Sequence, residues 1–161
     1  MKRAALVFLV VLALAASAAA QNKFSATSQC GKAEKGYDIE VGDRPGHAFG
    51  VYQGKCAVTK AEIAGIQVKE NVWTCSAEIS GNTVRARGAS FFNMANGDKV
   101  YARDDYTTTS KDGAKTGEGK WTFNSGTGKF KDLKGKGTQK CKYGADGTST
   151  CELEGEYELP K

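Results

Sequence analysis

The chain has 161 residues, a formal net charge of +5 and five cysteines; twenty residues are glycine and only two are proline. This length is enough for one domain with a substantial hydrophobic core. The basic excess is too small to indicate a nucleic-acid partner, and a single histidine without any Cys-x-x-Cys pair argues against an ordinary zinc site. We therefore expect no nucleic acid, no metal and no cofactor.

Residues 1–20 have the three parts of a secretory signal peptide. Two basic residues follow the initial Met, residues 4–16 are apolar, and alanines fill positions 18–20. The apolar run is shorter than the roughly 20 residues that a membrane helix needs. We predict cleavage before Gln21, a single domain over residues 21–161, no membrane span and a periplasmic or extracellular location. Because two basic residues leave with the signal, the charge falls from +5 to +3.

Beyond the signal, short alternating runs are separated by turn residues, and no long segment has helical periodicity. The predicted strands lie near residues 37–41, 47–58, 66–79, 83–94, 98–109, 115–123, 135–143 and 148–159, with single helical turns at 59–62 and 129–133. Eight strands with almost no helix to cover them hide their apolar face and edges most simply by closing on themselves. We predict an all-β, eight-stranded antiparallel up-and-down barrel; a two-sheet sandwich is the alternative.

The last two predicted strands carry a charge pattern that fixes their register. Glutamates alternate with apolar residues over 151–159, and four lysines alternate with glycine, glutamine and cysteine over 134–142. A three-residue loop at 145–147 sets three of these lysines, Lys134, Lys136 and Lys140, opposite Glu158, Glu156 and Glu152. A shift by one residue would set lysines against the apolar face, so this register is strongly preferred.

The five cysteines allow two disulfides and leave one thiol. The register of the last hairpin places Cys141 opposite Cys151, and export permits disulfides, so we predict that these two are bonded. Cys30, Cys56 and Cys75 compete for the second bond. We favour Cys30–Cys56, which leaves Cys75 unpaired.

The strand at 98–109 turns one carboxylate towards the interior. A three-residue loop at 95–97 pairs Gly88 with Asp104, and a two-residue loop at the next turn places Asp104 beside Trp121. Tyr106 follows on the same face of the strand.

A carboxylate facing an apolar interior costs several kcal/mol unless it is paired, and such acids concentrate at functional sites. We hypothesise that Asp104, Tyr106, Trp121 and Gly88 form the polar anchor of a ligand cavity. The alternative is that Asp104 lies at the barrel mouth, or at a bulge that turns it into water.

Four short stretches carry a resemblance to a known family. They are Gly-Thr-Gly-Lys-Phe at 126–130, Gly-Lys-Gly-Thr at 135–138, Met-Ala-Asn-Gly-Asp at 94–98 and Glu-Gly-Glu-Tyr at 154–157. The glycine-rich pair fails the spacing of nucleotide-binding loops. The stretches resemble the allene-oxide-cyclase-like barrels and their uncharacterised secreted bacterial relatives. The resemblance implies a lipocalin-like barrel of eight strands, but the cyclase's active-site residues do not match position by position.

No set of residues in the sequence identifies a catalytic site. His47 lies in a Pro-Gly turn, where an exposed loop residue is the favoured reading, and no Gly-x-Ser-x-Gly motif is present. We expect a non-enzymatic exported barrel that binds a small, largely apolar molecule. The alternatives are an isomerase or cyclase that uses the cavity, and a filled barrel with a structural or interaction role. An ionisable group in an open cavity would favour the first alternative, and an aromatic plug the second.

Overall fold

The computed structural model describes residues 21–159, which form ten strands and one turn of 3-10 helix. The signal-peptide prediction falls on residues 1–20, outside this range. The strands are β1 (Asn22–Cys30), β2 (Lys35–Glu40), β3 (His47–Lys60), β4 (Glu62–Ile63), β5 (Ile66–Ser80), β6 (Thr83–Met94), β7 (Lys99–Lys111), β8 (Ala114–Gly126), β9 (Lys134–Tyr143) and β10 (Ser149–Glu158), and the 3-10 helix is Gly128–Phe130. None of the described residues lies in a helix long and apolar enough to cross a membrane.

Eight of these strands close into an antiparallel barrel. The sheet runs in the order β3-β1-β10-β9-β8-β7-β6-β5, and β3 also pairs with β5, which joins its two ends. Each remaining neighbour in the barrel is antiparallel, as between β1 and β10. The predicted eight-stranded barrel is therefore confirmed, and the sandwich alternative is wrong.

The identity of the eight barrel strands differs from the prediction. β1 closes the barrel between β10 and β3, although no strand was predicted there. The predicted strand at 37–41 exists as β2, but it pairs with β3 alone, at the edge of the sheet. Its apolar side chains face outward, with Tyr37 73 % exposed and Ile39 60 % exposed. β2 is therefore an arm outside the barrel.

The predicted helical turn at 59–62 is wrong, whereas the turn predicted at 129–133 matches the 3-10 helix. The Thr59 hydroxyl does not cap a helix; it donates to the carbonyl of Thr27 on β1, 3.2 Å away. β3 therefore continues to Lys60, and β4 then folds back on β5 through Ala64 and Gly65, both with positive φ.

The predicted registers of the other hairpins are confirmed. Cys141 lies opposite Cys151, and three lysines of β9 lie opposite glutamates of β10, as predicted. Gly88 pairs with Asp104 on one side, and Asp104 pairs with Trp121 on the other. Both predicted disulfides, Cys30–Cys56 and Cys141–Cys151, are present, and Cys75 is free.

One half of the barrel is filled by aromatic side chains. Phe24 packs edge-on against Phe92, Trp121 and Phe123, with ring centroids 5.2–6.4 Å apart. Gly137 leaves the space for the indole, because a Cβ there would lie 2.2 Å from a Trp121 ring carbon. Trp121 is 1 % exposed and its Nε1 donates to the Thr138 carbonyl at 3.0 Å.

The same end of the barrel is capped by the segments that follow β3 and β8. Phe130, the last residue of the 3-10 helix, and Leu133, shortly after it, are fully buried, as is Ile63 of β4. All three belong to the aromatic core cluster. Because the core fills this end, open space is confined to the opposite half.

Candidate functional site

A cavity of about 570 Å³ occupies the half of the barrel that the aromatic core leaves open. It opens beside the turns at 81–82 and Gly147, and Phe92 and Leu153 lie at its inner end. Its wall is made by inward-facing side chains of every barrel strand, because alternate residues of each strand point to the inside.

Three of the four residues proposed from the sequence line this cavity. Asp104, Tyr106 and Gly88 contribute to its wall. Trp121 does not; it lies one layer deeper, in the aromatic core with Phe24. Register alone placed Trp121 beside Asp104, but the space opposite Gly137 lets the indole turn away from the opening.

Asp104 is turned inward because the register of β7 with both neighbours is unbroken across it. The register shift between β7 and β8 lies at Tyr101 and Ala102, away from the carboxylate. The Ser90 hydroxyl donates a 2.9 Å hydrogen bond to Oδ2 of Asp104. Burial raises the pKa of Asp104 to about 6, and the hydrogen bond from Ser90 opposes this in part. The ion pairs found among residues 21–159 do not include this carboxylate.

Gly88 separates Asp104 from the free thiol of Cys75 in one row of paired residues. A Cβ at Gly88 would lie 2.5 Å from the Thr74 carbonyl and 3.0 Å from the Cβ of Cys75. The position therefore excludes a side chain, so no side chain of β6 stands between Asp104 and Cys75 in this row. Burial raises the pKa of the Cys75 thiol, and the charge of Asp104 raises it further.

No family model matches the chain, and neither does a curated protein or a solved structure. Within residues 21–159, no group of three or more His, Cys, Asp or Glu is arranged to hold a metal ion.

A second polar group in the cavity wall is a cluster of hydroxyls. The Tyr143 hydroxyl donates to that of Tyr106 at 3.1 Å and lies 3.4 Å from Thr108 Oγ1. Burial is the main cause that raises the pKa of Tyr106, followed by the charge of Tyr143 and its hydrogen bond with Tyr106. Gly117 makes room for this arrangement, since a Cβ there would lie 2.0 Å from the Tyr106 hydroxyl. Sequence reasoning did not identify Tyr143, although it is inward on the alternation of β9.

The remaining wall is largely apolar and includes both disulfides. Cys30–Cys56 joins β1 to β3, and Cys141–Cys151 joins β9 to β10. Asn71 also lines the cavity, and its Nδ2 is buried without a hydrogen-bond partner among the described residues.

The rim of the cavity carries a lysine and a hydrogen bond between a tyrosine and an aspartate. Lys115 is exposed there, with its Nζ 5.0 Å from the centroid of the Tyr143 ring. The Tyr52 hydroxyl donates to the carboxylate of Asp38 on β2. Burial, and then this bond, raise the pKa of Tyr52 to about 12. β2 is thereby tied to the mouth of the barrel.

His47 is not the exposed loop residue that the sequence favoured. It is 7 % exposed, and its Nδ1 lies 2.5 Å from Asp43 Oδ1 while its Nε2 lies 3.3 Å from Glu78 Oε1. The hydrogen bond with His47 is the main cause that lowers the pKa of Asp43. Because His47 does not line the cavity, we assign it the structural role of fixing the β2–β3 loop to β5.

Proposed function

We propose that this barrel binds a small amphipathic molecule, largely apolar, in its cavity. The observation that carries the proposal is the division of the barrel into an aromatic half and an open half of about 570 Å³. Cavities of roughly 300–1,000 Å³ with apolar walls and a few polar groups are typical of small-molecule sites. The resemblance to allene-oxide-cyclase-like, lipocalin-like barrels supports the same function.

One set of polar groups in the cavity is clustered on neighbouring strands, although others, such as Ser28, Asn71 and Gln139, line it elsewhere. Ser90, Asp104, Tyr106 and Thr108 lie on the adjacent strands β6 and β7. Tyr143 joins them through its hydrogen bond to Tyr106. A ligand with one polar end would be oriented by this group, while its apolar part contacts Phe92, Leu153 and the disulfides. Such an arrangement suits an amphipathic molecule better than a uniformly apolar one.

The cavity and its carboxylate both lower the stability of the fold. Unfilled apolar space forfeits packing energy, and a buried carboxylate forfeits hydration. The other half of the same barrel is filled to the point that glycines are needed to fit Trp121. The contrast between the two halves supports a ligand site rather than a structural protein.

The neutral apolar fluorophore N-phenyl-1-naphthylamine tests the proposal. We expect its fluorescence to rise when it binds to the barrel. Ala86→Trp should abolish this rise, because the large side chain would fill the cavity that Ala86 lines. Ala89→Trp is the matched control, because Ala89 lies on the outer face of the same strand and should bind as wild type. Equal binding by both variants, or none by the wild type, would contradict the proposal.

An isomerase or cyclase is the second candidate function. A carboxyl group with a pKa of about 6 in an open cavity can take up and return a proton near neutral pH. Proton transfer would exchange hydrogen at a carbon of the bound molecule. To test this, the protein is purified gently so that it keeps its ligand and is then incubated in heavy water. Mass spectrometry of the ligand measures deuterium uptake. Deuterium uptake that is lost in Asp104→Asn would support the enzyme, and no uptake would leave only the binding protein.

A further inference from the structure

We propose that the polar end of the ligand is a protonated amine, and that its ammonium group pairs with the carboxylate of Asp104. This inference deepens the proposed function and rests on it. It names the chemical class of the ligand and the residue that selects it.

Asp104 has unused capacity to accept hydrogen bonds. Oδ2 accepts one from Ser90, and Oδ1 accepts none from residues 21–159. No Lys or Arg among those residues forms an ion pair with it. The neighbouring acid on the outer face, Asp105, does pair, with Arg87 at 3.2 Å. Of these two neighbouring carboxylates, the inward one lacks a cationic partner among the described residues.

The groups that face Asp104 on each adjoining strand carry no positive charge. Gly88 on β6 and Trp121 on β8 are uncharged, and beyond Gly88 stands the thiol of Cys75 on β5. Because the pKa of this thiol is raised, it is neutral at physiological pH. Tyr106, next on the same face, also has a raised pKa and is neutral. The protein therefore supplies no positive charge to the carboxylate from these positions.

Anionic and neutral ligands suit the cavity less well than a cationic one. An anionic ligand would find one cation in the cavity wall, Lys115, at the exposed rim, and would bring a second negative charge towards Asp104. A neutral alcohol could donate one hydrogen bond but would leave the carboxylate charge buried. An ammonium group donates hydrogen bonds and also neutralises the charge, which makes it the most favourable partner.

Aromatic rings in the same wall favour a cation as well. Trp73, Tyr106 and Tyr143 line the cavity together with Asp104. The face of an aromatic ring attracts a positive charge, most strongly where water is excluded. Aromatic rings beside a carboxylate therefore favour a cationic ligand over a neutral one.

Three probes of equal chain length separate the ligand classes: octylamine, octanol and octanoate. Each competes with N-phenyl-1-naphthylamine at about pH 7.5, where Asp104 is ionised and octylamine is protonated. We expect octylamine to displace the fluorophore at a concentration about tenfold lower than octanol, since it adds a charge-assisted hydrogen bond. Octanoate should be the weakest of the three.

Variants and pH locate the effect. Asp104→Asn should abolish the advantage of octylamine over octanol, and so should a shift to about pH 4.5, where the carboxyl is protonated. Asp105→Asn removes one charge from the adjacent outward position and should leave the advantage unchanged. Protection of the Cys75 thiol from alkylation gives a second readout, because that thiol lies in the same cavity and is the only free one.

The outcomes distinguish this inference from the proposed function. Equal displacement by octylamine and octanol would overturn the amine ligand while leaving the ligand-binding cavity intact. An advantage that persists in Asp104→Asn would overturn the role of Asp104. Failure of the fluorophore to bind, together with no protection of Cys75 by any probe, would overturn the proposed function itself.

Discussion

The carboxylate of Asp104 and the thiol of Cys75 face the same cavity across Gly88, which contributes no side chain between them. The two groups are coupled, because the charge on Asp104 raises the pKa of Cys75. Since Cys75 is the only free cysteine, its reactivity reports directly on the charge and occupancy of the cavity.

Asp104→Asn should therefore make Cys75 react faster with iodoacetamide near neutral pH, by severalfold. Loss of the carboxylate lowers the pKa of the thiol and raises the fraction present as thiolate, which is the reactive form. The pH dependence of alkylation measures this: its midpoint should move to lower pH. A rate that rises equally at every pH would indicate wider access instead, and would contradict the electrostatic coupling. Asp105→Asn should have little effect.

The same variant should be more stable than the wild type at about pH 7.5 and lose this advantage towards about pH 4. The folded pKa of Asp104 is about 6, above its value of about 3.9 in an unfolded chain. The native state therefore holds a proton that the unfolded state has released, and wild-type stability falls as pH rises through this window. The gain in Asp104→Asn is at most about 3 kcal/mol, from two pKa units. Urea unfolding at several pH values measures it; an unchanging difference would contradict the raised pKa.

Gly88→Ala should destabilise the barrel by about 1–3 kcal/mol, the usual cost of overpacking. The added Cβ would meet the backbone carbonyl of Thr74 at 2.5 Å, and a strand in the middle of a closed sheet cannot easily move away. Gly31→Ala is the control, because a Cβ there has no atom within 4 Å, and its stability should be nearly unchanged. Similar urea midpoints for the two variants would contradict this prediction, because they would show that β5 and β6 can move apart to accept the added Cβ.

Removal of either disulfide should lower stability by comparable amounts. The chain-entropy relation gives about 2.7 kcal/mol for Cys141–Cys151, which are 10 residues apart, and about 3.5 kcal/mol for Cys30–Cys56, which are 26 apart. Paired Cys→Ser variants, unfolded in urea, test each value. The probe fluorescence of the same variants should fall as well, because both bonds form part of the cavity wall; full binding without them would contradict that role.

The mature protein should begin at Gln21, with the N-terminal glutamine free or cyclised. The motive is the signal-peptide pattern of residues 1–20, and the two disulfides support an oxidising location. Intact-mass analysis of the exported protein decides it. A mass that includes residues 1–20 would contradict both the cleavage and the domain boundary at 21.

The parts of the fold that were predictable are those with strict alternation between glycine turns. The registers around Gly88, Asp104 and Cys141 follow from side-chain period and loop length alone. β1 was missed because only Phe24 on its inner face is large; Ala26 and Ser28 are small, so the alternation is faint.

Where the prediction failed, the deciding contacts lie between strands that are distant in sequence. Tyr37 and Ile39 alternate like a buried strand, but β2 pairs only with residues 48–53 of β3, beyond the stretch where β1 pairs with that strand, and its side chains stay exposed. Trp121 leaves the cavity because Gly137, on the next strand, provides a space for its ring. Neither fact is contained in a local pattern.

The two disulfides line the open half of the barrel, and Cys141 and Cys151 also belong to the core cluster. Covalent cross-links thus join neighbouring strands where the interior of the barrel is not filled. Phe92 and Leu153 also belong to both the core cluster and the cavity wall, whereas Ala86 lines the cavity without belonging to that cluster. A substitution at Ala86 should therefore reshape the cavity at a lower cost to folding than one at Phe92. Such positions give chains of this architecture room to diverge inside the cavity while they keep one fold.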